Sequence, residues 1–253
     1  MAAALFAVPL LLMASGSFRR PGAAPPTSPE LVPDPASTAS YERAFELVDL
    51  GRYALNSAVV CALTVPLAIL VASWAGFAIS QLPRRLATWF VVASFVALMI
   101  PATALLVPRF ALFSALGLTD TWAPLVAPGL IGVSPFYVLL YAWAFSRVPR
   151  DVLDAARADG AGVLSQWGRI AMPLVPSVTA AVAVLTFALT WGNFLDPLVY
   201  LSSERLFTLP LGLRSLAQLD RQDAPVLLAG AVVATAPVVV VVVAALRRAT
   251  EPI

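Results

Sequence analysis

Apolar residues run along this chain in blocks too long for a soluble fold to cover. Five stretches exceed twenty residues with no Asp, Glu or Arg inside: Tyr53 to Ser80, Leu86 to Val107, Trp122 to Phe145, Ile170 to Trp191 and Val226 to Leu246. A bilayer core about 30 Å thick is crossed by roughly 20 apolar residues in a helix, so each block predicts a membrane span. Unbroken length, not periodicity, decides this. A sixth run, Met1 to Gly16, would reach about 24 Å at 1.5 Å per residue. Nothing basic precedes its apolar core and Ala14-Ser15-Gly16 is only a fair cleavage site, so it reads as a short first span rather than a signal peptide.

The polar segments between the blocks set an orientation. With the C-terminus inside, segments 81–86, 146–170 and 247–253 hold 8 arginines in 38 residues, including Arg84, Arg85, Arg147, Arg150, Arg157, Arg169, Arg247 and Arg248. Segments 15–52, 108–121 and 192–224 hold the other 8 in 85 residues. Basic residues concentrate on the cytoplasmic side of membrane proteins, which predicts that both termini are cytoplasmic. The outer segment from Arg19 to Leu50 begins with Pro21, Pro25, Pro26, Pro29, Pro33 and Pro35 and reads as extended. Its second half, Tyr41 to Leu50, reads as a short amphipathic surface helix. Prolines also punctuate the spans, at Pro66, Pro101, Pro124, Pro128, Pro135, Pro173, Pro176 and Pro237, and predict a bundle of kinked helices.

Composition narrows the chemistry. Apolar residues make up 60% of the chain and charged residues 12%. All 16 basic residues are arginine and there is no histidine. Without lysine the chain has no Walker A motif and no Schiff base. Without histidine it has no histidine-based triad and no His-ligated zinc or haem. The single cysteine, Cys61, reads as a small apolar helix residue. A net charge of +2 does not point to nucleic acid. An intramembrane enzyme would place catalytic groups at membrane depth, and the five long blocks carry no acidic or basic residue to serve one.

The inner segment from Ser146 to Ile170 has local order of its own. Pro149 suits a first helical turn. Arg150 with Asp154 and Asp154 with Arg157 stand at i,i+4 and i,i+3 spacing. Val152, Leu153 and Ala156 form an apolar patch, and Gly160 with Gly162 stops the helix at a left-handed turn. A second amphipathic turn, Val163 to Trp167, leads into Ile170 and a kink at Pro173. Small residues at Ala155, Ala156 and Gly160 permit close approach of a partner surface. A plain amphipathic loop on the membrane surface is the other reading.

Asp154-Ala155-Ala156, three residues, Gly160, nine residues, then Ile170-Ala171-Met172-Pro173 resembles the EAA loop of binding-protein-dependent ABC importer permeases. Asp154 and Met172 stand where that family usually has Glu and Leu. Pro101 through Pro108 followed by Gly117-Leu118-Thr119-Asp120, then Ser134-Pro135-Phe136, Trp191 to Leu198 and Thr208 to Leu213 resemble the maltose-type, carbohydrate branch, in the manner of its second permease subunit. The resemblance runs from about Leu10 to Arg248.

The resemblance implies an all-α polytopic membrane protein: a MetI-like permease bundle of six transmembrane helices, the first one short, forming one domain over residues 1–253. It implies an outer loop at 17–52, a five-helix core at 53–246 and a cytoplasmic coupling loop at 146–170. It also implies a transporter rather than an enzyme, multi-pass in the bacterial cytoplasmic membrane. The partners would be a pair of ATP-binding subunits, a second homologous permease, an extracytoplasmic solute-binding protein and membrane lipid. No cofactor would be bound by this chain, Mg-ATP being used by the partner.

Asp154, Ala155, Ala156 and Gly160 would then set the docking surface, while Ile170 and Pro173 would join this lever to the fifth span. For the solute path the candidates are Asn56, Ser57, Trp191 and Asn193, an amide-plus-aromatic set suited to a polyol. Trp191 as an interfacial anchor and Asn193 as a helix cap is an equal reading. Permeases for polyamines, amino acids or phosphonates share the loop, and a channel or structural membrane subunit is the rival outside the family.

Overall fold

The computed structural model describes residues 2–24, 31–131, 133–219 and 223–250, so Met1, Pro25, Pro26, Pro29 and Arg221 lie outside the described residues. The described residues are mostly helical. α1 is Ala2–Ser17, α2 Ala39–Leu47, α3 Leu50–Gln81, α4 Arg84–Leu98 and α5 Leu106–Ala115. α6 is Ala123–Val126, α7 Pro135–Phe145, α8 Arg150–Ala158, α9 Val163–Ser165 and α10 Pro176–Trp191. α11, Leu195–Tyr200, α12, Leu209–Leu219, and α13, Ala224–Thr250, complete the order.

Among the described residues, three helical stretches are long and apolar enough to cross a bilayer: Leu50–Gln81, Ala123–Phe145 and Ala224–Arg247. Two bent helix pairs are apolar enough only when taken together, Arg84–Leu98 with Ala102–Ala115 at 84° and Val163–Leu174 with Pro176–Trp191 at 87°. Two expectations are corrected here. The block Leu86 to Val107 is not one helix, because the chain leaves the helix at Pro101, whose backbone is extended at φ −65° and ψ 132°. The block Ile170 to Trp191 is likewise divided, and its break falls at Val175-Pro176 rather than at Pro173. Ile170 and Pro173 therefore lie before the bend, with the loop, and the straight part of the fifth span begins at Pro176.

Two compact units make up the chain, one from Met1–Val59 and Trp191–Ala244, the other from Val60–Thr190 and Ala245–Ile253. In the first, α1 and α2 are tied by the Ser17 and Tyr41 hydroxyls at 2.7 Å, and the Ser40 hydroxyl donates to the Arg19 carbonyl at 2.6 Å. The described part of the proline segment is not extended throughout: Pro21 and Gly22 form a turn, with Gly22 at φ +75°.

The second unit has its core where α3, α7, α8 and the start of α10 meet, around Ala72, Phe77, Tyr141, Phe145, Leu153 and Val182. Tight helix contact sets one residue type there. A Cβ on Gly76 would stand 2.5 Å from the Tyr141 Cβ and 2.8 Å from the Ala142 nitrogen, so α3 approaches α7 only because this position is glycine. α7 starts sharply, since the Ser134 hydroxyl accepts from the Phe136 N–H at 3.2 Å and Pro135 occupies the first turn.

Candidate functional site

The 146–170 loop folds as the sequence pattern suggests, with differences that matter. α8 turns Leu153 and Ala156 into the core and leaves Val152, Asp154 and Ala155 exposed. The apolar patch read from Val152, Leu153 and Ala156 is thus divided between two faces, as expected of neighbours 100° apart on a helix. Asp154 pairs with Arg157 at 2.7 Å, and among the described residues no ion pair joins it to Arg150.

Gly160 ends α8 in a closed C-terminal turn. The Ala161 N–H donates back to the Ala156 carbonyl at 2.9 Å and the Gly160 N–H to the Arg157 carbonyl at 3.0 Å. These are the two reverse bonds of a Schellman turn, and they need a left-handed residue at its centre. Gly160 supplies it at φ +80°, whereas Gly162 is extended at φ −66° and needs no glycine. A Cβ on Gly160 would meet nothing within 4 Å, so the turn faces outward and is open to another molecule.

Beyond the turn, Val163 and Leu164 stand exposed at 72% and 62%. The chain then continues through a π-helical segment, Gln166–Ala171, and a 3-10 turn, Met172–Leu174. Ile170 is half-buried against the core, Ala171 fully buried, and Pro173 exposed in that 3-10 turn. Gln166 is buried, its amide donating to the Ala161 carbonyl at 2.7 Å, which closes the loop on itself.

Sequence reasoning missed what holds this loop. The second guanidinium nitrogen of Arg157 donates to the Gln81 side-chain oxygen at 2.8 Å, at the end of α3. On the far side of the glycine turn, the Trp167 indole N–H donates to the Ser73 hydroxyl at 3.2 Å, and its ring meets Trp74 edge-on at 5.6 Å. An apolar groove of about 670 Å³ is lined by Gln81 and Arg157, by Trp167, and by Phe77 and Ala78. Nothing in the local pattern marks Gln81 or Ser73, because their partners lie 76 and 94 residues away.

The four residues considered for a solute path sit in the first unit with their polar groups engaged. The Asn56 amide donates to the Arg205 and Phe207 carbonyls, each at 2.9 Å, and the Ser57 hydroxyl accepts from the Leu209 N–H at 2.8 Å. Together they pin segment 205–209 to the start of α3. Trp191 is 6% exposed, and its indole donates to the Ala234 carbonyl at 2.8 Å, in the turn of α13 disturbed by Pro237. Asn193 accepts the Asp196 N–H at 3.2 Å and donates to the Asp196 carboxylate at 2.9 Å, in the manner of a cap for α11. The bonds of Asn56 and Ser57 go to the 205–209 segment and those of Trp191 and Asn193 to α13 and α11. No bond joins one pair to the other among these.

Comparison with known proteins supplies the context for the loop. Residues 64–250 match the family described as binding-protein-dependent transport system inner membrane component. The chain is 31% identical over 235 residues to the arabinooligosaccharides transport system permease protein AraQ of Halalkalibacterium halodurans, covering 92% of this chain and 84% of that one. It is 30% identical over 207 residues to the lactose transport system permease protein LacG of Rhizobium radiobacter, with 81% and 74% covered. In fold it is similar to a chain in the crystal structure of a bacterial ABC transporter involved in the import of the acidic polysaccharide alginate. That match has a TM-score of 0.78 at 21% identity and covers 97% of this chain and 91% of the other.

Proposed function

Because the chain belongs to the family of binding-protein-dependent transport system inner membrane components, we propose that it is the membrane-spanning permease subunit of an ATP-driven importer of a sugar or oligosaccharide. The relatives named for arabinooligosaccharides, lactose and trehalose support the solute class. The chain has no lysine for a nucleotide-binding loop, so ATP is hydrolysed by a partner. Two such subunits, a second homologous permease and an extracytoplasmic solute-binding protein complete the assembly.

In this reading the 146–170 loop and both termini are cytoplasmic, in line with the density of arginine there. The observation that carries the proposal is the outward-facing turn at Gly160, flanked by exposed Ala155, Val163 and Leu164, beside a helix firmly packed through Leu153 and Ala156. A rigid body with an exposed apolar tip is what a nucleotide-driven partner needs to grip. ATP-driven closure of the partner shifts the permease between inward-facing and outward-facing states only by binding this tip differently in the two. Asp154, Ala155 and Gly160 present the docking face, and Ala156 holds it from behind. Ile170 and Pro173 connect it to the core.

The test is reconstitution. Proteoliposomes holding this chain with its second permease, ATP-binding subunit and binding protein are supplied with labelled lactose, trehalose or an arabinooligosaccharide. Uptake of one of these that requires ATP inside and the binding protein outside is expected. Uptake indifferent to ATP, or failure of the chain to co-purify with the ATP-binding subunit, would contradict the proposal.

A further inference from the structure

In the maltose-type reading, the lever movement follows the chain from the loop into the fifth span. The structure offers a poor path for that. Between Leu174 and Pro176 the backbone leaves the helix at Val175, with φ −125° and ψ 44°, and the helical segments on either side meet at 87°. Pro176 contributes no N–H to bridge the break. A push on the loop would be absorbed there by two soft dihedrals.

We infer that the loop's movement is delivered instead to α3, with Arg157, Gln81, Ser73 and Trp167 as positioning residues; this rests on the function proposed above. Arg157 lies in α8, before the glycine turn, and Trp167 in the π-helical segment after it, so both legs of the loop reach the same helix end. Ser73, Phe77 and Gln81 recur every four residues and share one face of α3. Phe77 sits between the two polar contacts and packs edge-on against Phe145 at 5.5 Å, which carries the same face into the core. The other guanidinium nitrogen bonds Asp154, so the N–H donated to Gln81 is aimed rather than free. A body clasped at two points two helical turns apart cannot swivel without taking the helix along.

Asp154 gains a second role from this. It presents an exposed carboxylate at the docking face and also orients Arg157 toward α3, so contact at the tip and grip on the helix share one side chain.

The hydrogen bond to Gln81 is solvent-exposed, so it adds little to stability and its removal leaves the fold intact. The assembled importer, carrying Cys61→Ser and a spin label on Leu70→Cys, is placed in nanodiscs and compared with and without ATP plus vanadate. Leu70 is on α3 and 42% exposed, which leaves room for the label. The parent is expected to show a nucleotide-dependent change in label mobility. Ser73→Ala with Gln81→Leu is expected to lose it while still binding the ATP-binding subunit. Gln81→Glu with Ser73 kept, which leaves Trp167 its partner and gives Arg157 a carboxylate, is expected to retain it. A full-sized change in the Ala/Leu variant would overturn the inference and leave the function standing, as would a parent that hydrolyses ATP with no change at position 70. A parent that never binds the ATP-binding subunit would overturn the function itself, and this inference with it.

Discussion

Gly160 and Gly162 look interchangeable along the chain, yet only one of them is held in the left-handed region. Gly160→Asp should cost about 1 kcal/mol through φ alone, since Asp tolerates this region better than most residues and meets no neighbour in its own chain. The expected outcome is normal insertion and ATPase activity with uptake lost, read by paired hydrolysis and transport assays; wild-type uptake would refute it. Gly162→Ala should transport like the parent. Asn56 shows the opposite limit of residue-level reading. An amide at the outer end of a span suggests a sugar ligand, but both donors visible here go to carbonyls of the 205–207 segment. Asn56→Ala should therefore lower stability by about 2 kcal/mol, at roughly 1 kcal/mol per hydrogen bond, without altering which sugar is carried. A changed solute preference at unchanged melting temperature would show the side chain serving the solute directly.

At the scale of elements, continuous apolar length announced the spans, because lipid leaves no alternative to backbone hydrogen bonds satisfied within a helix. What it could not announce was where a span breaks. Pro66 and Pro237 lie inside unbroken helices, while Pro101 and Pro176 each start a segment that turns sharply from the one before. The residue type is the same in all four, but the backbone is extended at Pro101 itself and irregular at Val175 before Pro176, which packing rather than residue type decides. The surface helix expected at Tyr41 to Leu50 forms as α2 from Ala39 to Leu47, where Ser40 and Ala44 supply its buried face. The contact of α3 with α7 through Gly76 was equally invisible in the sequence, since the partner lies some sixty residues on. Gly76→Val should force the two helices apart and cost about 1–3 kcal/mol, as overpacking of a tight site does. Loss of monodisperse protein in detergent, relative to Gly162→Ala, is the measurement. A fully stable Gly76→Val would mean that α3 and α7 are not in contact through this face.

At the scale of the whole molecule, the apolar side chains left outside the core are themselves a finding. α4 buries none of its residues, with Trp89 at 72% and Phe95 at 58% exposure, as befits a helix that meets lipid or another membrane chain. Trp143 carries the Arg147 guanidinium over its ring at 3.5 Å at the end of α7, a pairing suited to the membrane-water boundary. The function proposed above puts the loop that carries the arginine bias, the EAA-like spacing and the open turn at Gly160 on the cytoplasmic side, in contact with an ATP-driven partner. The decisive measurement is side-specific labelling of Asp159→Cys, an exposed position beside the turn, in a Cys61→Ser background. A membrane-impermeant maleimide should leave intact cells unlabelled, react in inside-out vesicles, and be blocked there when the ATP-binding subunit is bound. Labelling of intact cells at full rate would contradict the account.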